Sequence, residues 1–368
     1  MKRGIARRTA LKGLGSMACA AATGGIGKAT TALAAPVVAR GTVLTISTWG
    51  GITEDGIKAH VAPEFERSTG AKLAYDIGGL GARYNKLLAQ RASPPADVFF
   101  STDESVVAGR KAGIIGDIAR KNVTNYGDVA DWAKTVKAEG GGELLPGVPY
   151  TLIAYVLAYN PDIVKQPITS WADMWRPEFA GKLAFASPVH SMMQAFVIAA
   201  AEMAGGSAAN PDAGFKKLAE LRPAKLTVFW TDWAPLSKSG DVTLATEFDY
   251  YLEAMRDQKY PVQIAIPKEK GFGAPEYVSV VKGTKNQELA EEFINQMIAP
   301  RAQHAFAVET YQGPISAKVS LTSAEQAKCA CGARVDQLRF FDPVQFASVR
   351  AAWTERLNTE VVPSWRTR

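Results

Sequence analysis

The chain has 368 residues, 42 Lys or Arg against 36 Asp or Glu, a formal charge of +6, three His and three Cys. Six of the basic residues (Lys2, Arg3, Arg7, Arg8, Lys12 and Lys28) precede residue 35, where there is no acid, leaving 36 basic against 36 acidic residues. The remainder is neutral, which excludes a nucleic-acid reading built on a basic patch, and its length suits two lobes of ordinary domain size.

The first 34 residues read as an export signal: a basic start, a weakly apolar Gly- and Ala-rich stretch, and the small-residue cleavage site Ala32-Leu33-Ala34. Arg7-Arg8-Thr9-Ala10-Leu11-Lys12 resembles a twin-arginine motif, with an ordinary secretory signal as the alternative. Ser16-Met17-Ala18 before Cys19 makes a poor lipidation site. No later apolar run reaches the roughly 18 residues of a membrane span. Only Cys329 and Cys331 follow the signal, too few for a zinc site and too close for a long-range disulfide.

From Thr42 the alternation VLTIST predicts a first strand, ending at Trp49-Gly50-Gly51. Glycines after a strand let a ligand approach the backbone, and Trp49 sits at the carboxyl end, where open α/β sheets bind ligands; packing in the core is its alternative role. A helix is predicted over 56–68, a strand over 72–77 and a helix over 82–92, the GGLG between them failing the dinucleotide pattern. Ala96 to Phe100 is a third strand running into Ser101-Thr102-Asp103, with a helix to Ala112 that Ser101 or Thr102 can cap.

The stretch from Pro149 to Ser187 is the pivot. Tyr150 to Tyr159 is an apolar, β-branched and aromatic run that predicts a buried strand. Asn160-Pro161-Asp162 interrupts it, and Ser170-Trp171-Ala172-Asp173 is a capping box opening a short helix that Pro177 ends. Lys182 to Ala186 is the next strand. Two strands joined by a helical crossover are the unit of a mostly parallel sheet. Helices follow over 192–205 and 215–221, strands over 226–230 and 260–267, and a loop over 271–275 leads to Glu276-Tyr277 and a strand over 278–281. An amphipathic helix at 286–297, a turn at 311–316 and a tail helix at 346–362 complete the chain.

The runs PYTLIAYVLAYNPDIV and SWADMWRPEFAGKLAF resemble the segment in which the periplasmic solute-binding proteins of ABC importers cross between lobes, especially in the spermidine/putrescine-binding branch. DVFFST resembles that family's strand before ligand-contacting residues; Gly240 to Tyr251 resembles its "GEVxLGxxW" segment, and Pro267-Lys268-Glu269 its "WPKEGG". The resemblance implies a two-lobed α/β fold: each lobe a mostly parallel sheet flanked by helices, joined by a hinge of crossing strands. Lobe 1 is expected over 40–149 and 273–318, lobe 2 over 150–272 and 319–368. It also implies a periplasmic protein that needs no cofactor and whose partners are a small solute and an inner-membrane ABC permease.

Site residues follow from both readings. Trp49, Trp230, Phe248, Tyr250 and Tyr277 offer aromatic faces for stacking or cation–π contact. Asp103, Asp232, Asp249 and Glu276 offer charge, and Gly50, Ser101, Thr102 and His190 polar contacts. Phe248 falls where polyamine binders place a Trp, and Glu276 where the family places an amine-binding carboxylate. The 187–191 loop lacks the acids that polyamine binders carry there. A hinge-bending receptor for an amine-bearing solute, polyamine-like or amino-acid-like, is the expectation. Its rival is ferric iron, for which Tyr250-Tyr251 aligns with the tyrosine pair of the iron-binding branch; phenolates are hard ligands. His60, His190 and His304 show no HExxH spacing, and neither GxSxG nor a P-loop occurs, so no enzyme is expected.

Overall fold

A computed structural model describes residues 37–227 and 230–366. The expected export signal at 1–34 and the side chain of Trp230 lie outside the described residues. The strands are β1 (Val43–Thr48), β2 (Lys72–Ile77), β3 (Val98–Thr102), β4 (Ile118–Ala119), β5 (Leu144–Leu145), β6 (Val148–Tyr159), β7 (Leu183–Ala186), β8 (Pro223–Thr227), β9 (Leu244–Phe248), β10 (Gln263–Ala265), β11 (Gly271–Val280) and β12 (Leu338–Arg339).

One sheet runs through both lobes in the order β2-β1-β3-β11-β6-β9-β7-β8. Its outer parts are parallel, β1 pairing with β2 and β3 on one side and β7 with β8 and β9 on the other. The long strands β11 and β6 lie between them and pair antiparallel with everything they touch on that path. These are the crossing strands of the hinge. The core changes partway along β6: Val148 and Tyr150 pack with Leu44, Ile46, Phe65, Phe100 and Phe293, whereas Tyr155 and Leu157 pack with Trp171, Phe185, Phe196 and Leu244. With a side-chain period of two, Leu152, Ala154 and Val156 face a separate cluster around Trp233 and Leu252.

The capping box at Ser170 and Asp173 is present, on a single tight 3₁₀ turn, Trp171–Trp175. The crossover it begins does not produce a parallel pair. The strand β9 intervenes, antiparallel to β6 and parallel to β7, so β6 and β7 run in opposite directions. The helix expected over 56–68 is two helices, Ile52–His60 and Ala62–Thr69, with Pro63 in the first turn of the second. Pro63 cannot donate to the preceding turn, and its ring forces the break. The loop expected at 271–275 is part of β11, which has a bulge between Glu276 and Tyr277. Pro275 tolerates that place beside the irregularity. Gly273 is required by packing: a Cβ there would meet the Phe340 ring at 2.5 Å.

Cys329 and Cys331 are disulfide-bonded to each other. The bridge pins Ala330, whose carbonyl oxygen lies so close to Gly313 that no Cβ fits between them. Gly313 in turn exchanges both backbone hydrogen bonds with Leu152 of β6 at 2.8 Å. Among the described residues, no helix is long and apolar enough to cross a membrane.

Candidate functional site

The carboxyl ends of β1, β3, β7 and β9 converge on a cavity of about 700 Å³ between the two cores. Trp49 follows β1, Thr102 ends β3, and His190 follows β7. Phe248 ends β9, with Tyr250 and Tyr251 in the first turn of the next helix; all six side chains line the cavity. From the crossing strands come Ile153 and Tyr155 of β6 and Glu276 of β11. The alternation within a strand decides this: Tyr155 faces the cavity while Leu152 and Ala154 face the other core.

One wall is aromatic. The Phe248 ring lies 5.1 Å from both Tyr155 and His190, 5.7 Å from Tyr250 and 5.8 Å from Tyr251. Tyr250 and Tyr251 are 4.1 Å apart. His190 caps the helix Ser191–Met203, its Nδ1 accepting from the Met192 backbone N–H at 3.2 Å. An accepting Nδ1 leaves the ring proton on Nε2, so the neutral ring is a donor there. Burial, reinforced by the Arg350 charge, pushes the His190 pKa down to about 4.

Among the described residues two charged groups line the cavity, Glu276 and Arg350. Glu276 is almost fully buried and accepts from Tyr150 Oη at 2.5 Å. Burial drives its pKa up to about 7, against the pull of Tyr150 and of the Arg83 charge. Arg83 is buried behind Trp49, with its guanidinium carbon 4.9 Å from the indole, and donates to the carbonyls of Ser47, Gly78 and Phe100. Burial brings its pKa down to about 10. Arg350 lines the cavity from the C-terminal helix Pro343–Arg356, with Glu104 behind it at 2.9 Å.

Of the residues expected from the sequence, Trp49, Thr102, His190, Phe248, Tyr250 and Glu276 come together in this cavity. The others point elsewhere. Gly50 packs on Ile77, a Cβ there meeting it at 2.9 Å. Ser101, one residue before Thr102, is turned to the opposite face of β3 and fully buried. Asp103 accepts from Thr135 Oγ1 at 2.8 Å, its pKa raised by burial and by the neighbouring Glu104 charge. Tyr277, beyond the β11 bulge, is buried with its hydroxyl donating to the Ala133 carbonyl at 2.8 Å and accepting from the Val136 N–H at 3.0 Å. Asp249 is buried against the back of β6, where its Oδ1 accepts from the Ala154 N–H at 2.9 Å. Asp232 is exposed. Tyr311, in the turn at 311–316, donates its hydroxyl to Asp257 on the surface.

Sequence reasoning missed Arg350, because it lies in a tail helix expected only to pack on lobe 2. It also missed Gly79 and the first turns of the helix Leu80–Ala89, with Tyr84 and Asn85, read as a simple turn into a helix. Nothing local marks either; both reach the cavity through tertiary packing.

Residues 61–330 match the family model of the bacterial extracellular solute-binding proteins. The chain belongs to that family. The binding protein is 27% identical over 296 residues to a gamma-aminobutyric acid-binding protein of Pseudomonas aeruginosa, covering 77% of this chain and 80% of the relative. It is 24% identical over 242 residues to the spermidine/putrescine-binding periplasmic protein of Escherichia coli, covering 64% and 68% of the two chains. A crystallised ABC transporter protein of Clostridium perfringens superposes with a TM-score of 0.72 at 26% identity, covering 86% of this chain and 99% of that one. The binding protein is thus the periplasmic solute-binding component of an ABC transporter, and its relatives are transport proteins.

Proposed function

We propose that the binding protein captures a small zwitterion carrying a primary amine and a carboxylate, and delivers it without chemical change to an inner-membrane ABC permease. The observation that carries this reading is the charge balance of the cavity. Glu276 is offset by Arg83, and Arg350 by Glu104, so the site has no surplus negative charge. Among the described residues Glu276 is the one carboxylate of the lining, so burying a polyamine would leave at least one ammonium group without a counter-charge, a cost of several kcal/mol per ion. A zwitterion matches both pairs. Its ammonium group sits at Glu276 among Trp49, Phe248, Tyr250 and Tyr251, where each face contributes about 0.5–2 kcal/mol to a desolvated cation. Its carboxylate takes the guanidinium of Arg350. The gamma-aminobutyric acid-binding relative supports this class of ligand.

Lobe 1 in this reading comprises 40–149 and 273–318, and lobe 2 comprises 150–272 and 319–368, with Trp49, Thr102 and Glu276 on the first and His190, Phe248, Tyr250 and Arg350 on the second. The test is calorimetric titration with 4-aminobutanoate, putrescine and butanoate. Binding of the first well above the other two supports the zwitterion; binding of putrescine alone refutes it.

Ferric iron is a second reading, favoured by the 4.1 Å spacing of the Tyr250 and Tyr251 rings and by Glu276 in the same cavity. Burial works against it by pushing Tyr251 up to about 12 and raising Tyr250, which disfavours the phenolates iron needs. A red charge-transfer band on adding ferric ion would decide for iron.

A further inference from the structure

The cavity is far larger than the charged groups require. A seven-heavy-atom amino acid displaces roughly five or six waters, on the order of 150–200 Å³ at about 30 Å³ each. That leaves most of the 700 Å³ unused. The two lobes already touch through Arg350 and Glu104 at 2.9 Å, so the excess is not a gap awaiting that contact.

The space is bounded by apolar and small residues. Ala347 and Ala351 stand one turn apart on the helix Pro343–Arg356, Ala108 faces them from the helix Asp103–Ala112, and Leu80 and Tyr84 lie one turn apart on the helix Leu80–Ala89. This end of the cavity opens to solvent, and Gly79 and Gly81 are exposed at its rim. A Cβ built on Gly79 or Gly81 meets no atom within 4 Å. Val189 lines the cavity at the same rim and is 57% exposed.

We propose that this end is an apolar subsite, and that the ligand is an ω-amino acid bearing an aryl or branched alkyl substituent that fills it. The proposal rests on the amine–carboxylate reading above and names what else the ligand must carry. The charged groups hold the two termini, and the alanines leave room for the body between the three helices. Apolar surface removed from water supplies affinity there, about fourfold per buried methylene.

The test compares 4-aminobutanoate with the two enantiomers of 4-amino-3-phenylbutanoate, which keep the amine–carboxylate spacing and add only a ring. With the wild-type protein, one enantiomer should bind about tenfold or more tighter than the parent by calorimetry. In Ala347→Phe, whose ring would occupy the same space, the ratio of the two affinities should fall to about one, with the melting temperature confirming that the variant is folded. Equal or weaker binding of both phenyl enantiomers in the wild type overturns the subsite and leaves the amine–carboxylate reading standing. A tenfold preference that survives Ala347→Phe overturns the assigned position. Binding of putrescine with none of the amino acids overturns both readings.

Discussion

Arg350 Nη1 donates to Glu104 Oε1 at 2.9 Å across 246 residues of sequence, joining the C-terminal helix to the first turn of the helix that follows β3. The same guanidinium reaches the Val189 carbonyl at 3.3 Å. Glu104 is only 4% exposed at its side chain, whereas Arg350 retains 30% and faces the cavity. In the proposed reading the pair is both a contact between lobes and the cation that a ligand carboxylate would meet. A ligand at Arg350 shares a guanidinium already held between the lobes, so binding and closure draw on the same side chain.

Replacing Arg350 with Ala should weaken 4-aminobutanoate at least tenfold, and leave a simple alkylamine much less affected, because only the former brings a carboxylate. It should also leave Glu104 buried without its partner. The expected loss of stability is about 1–3 kcal/mol, and adding Glu104→Gln should restore most of it. Calorimetric titration with both ligands and chemical denaturation of the single and double variants check these outcomes.

Glu276 should set the pH dependence of binding. Its pKa of about 7 in the empty cavity means that an ammonium group must displace a proton at lower pH. Affinity should fall about tenfold per unit between pH 6.5 and 5, while Glu276→Gln should bind weakly and with a flat profile. Dissociation constants measured across pH 5–8 would reveal a flat wild-type profile if another group holds the amine.

The unliganded protein should lose stability as pH rises through neutrality. Glu276, Glu247 and Asp249 all have pKa values of about 7 in the fold, each raised first by burial from 4.5 or 3.8. A raised carboxyl contributes stability fully below its unfolded pKa and loses it as pH passes through the folded value. His190 has the opposite sign: its folded pKa of about 4 contributes stability above 6.5 and loses it as pH falls toward 4. Between pH 6.5 and 8 the three carboxyls outweigh the remaining unfolded-state titration of the imidazole, so the melting temperature should fall over that interval, mostly below about pH 7.5. A saturating amine should reduce the fall by holding Glu276 as the carboxylate.

Gly313→Ala should destabilise the hinge. The new Cβ would run into the Ala330 carbonyl, which the Cys329–Cys331 bridge holds in place beside β6. Relief requires breaking the Gly313–Leu152 pair, for a cost of about 2–4 kcal/mol. Denaturant melts with and without reductant would show whether freeing Ala330 recovers part of that loss.

Arg83→Lys should be destabilising by about 2–4 kcal/mol, because an ammonium group cannot span three carbonyls that a guanidinium meets with its fork. Trp49 would lose the guanidinium plane behind its ring. A shift in tryptophan emission with weaker ligand binding would report it.

The sequence alone carried the strands β1, β2 and β3, the capping box at Ser170 and the helix near 287–297, because each rests on local periodicity or on residues whose conformational preference is written in their side chains; the two-lobed class came from the resemblance to known binding proteins. The sequence also carried Trp49, Phe248 and Glu276, which stand at strand ends or at matching motif positions. Direction and depth were decided only by tertiary structure. Insertion of β9 between β6 and β7 turned an expected parallel unit antiparallel, and the alternation along β11, in register with β3, put Glu276 beside Thr102 at the cavity and Tyr277 beside Ser101 in the core. Arg350 reaches the site from a helix more than 70 residues beyond Glu276, a proximity set by packing between lobes. Local pattern records which residues can be buried. Which neighbour they are buried against depends on long-range contacts that no window of sequence contains.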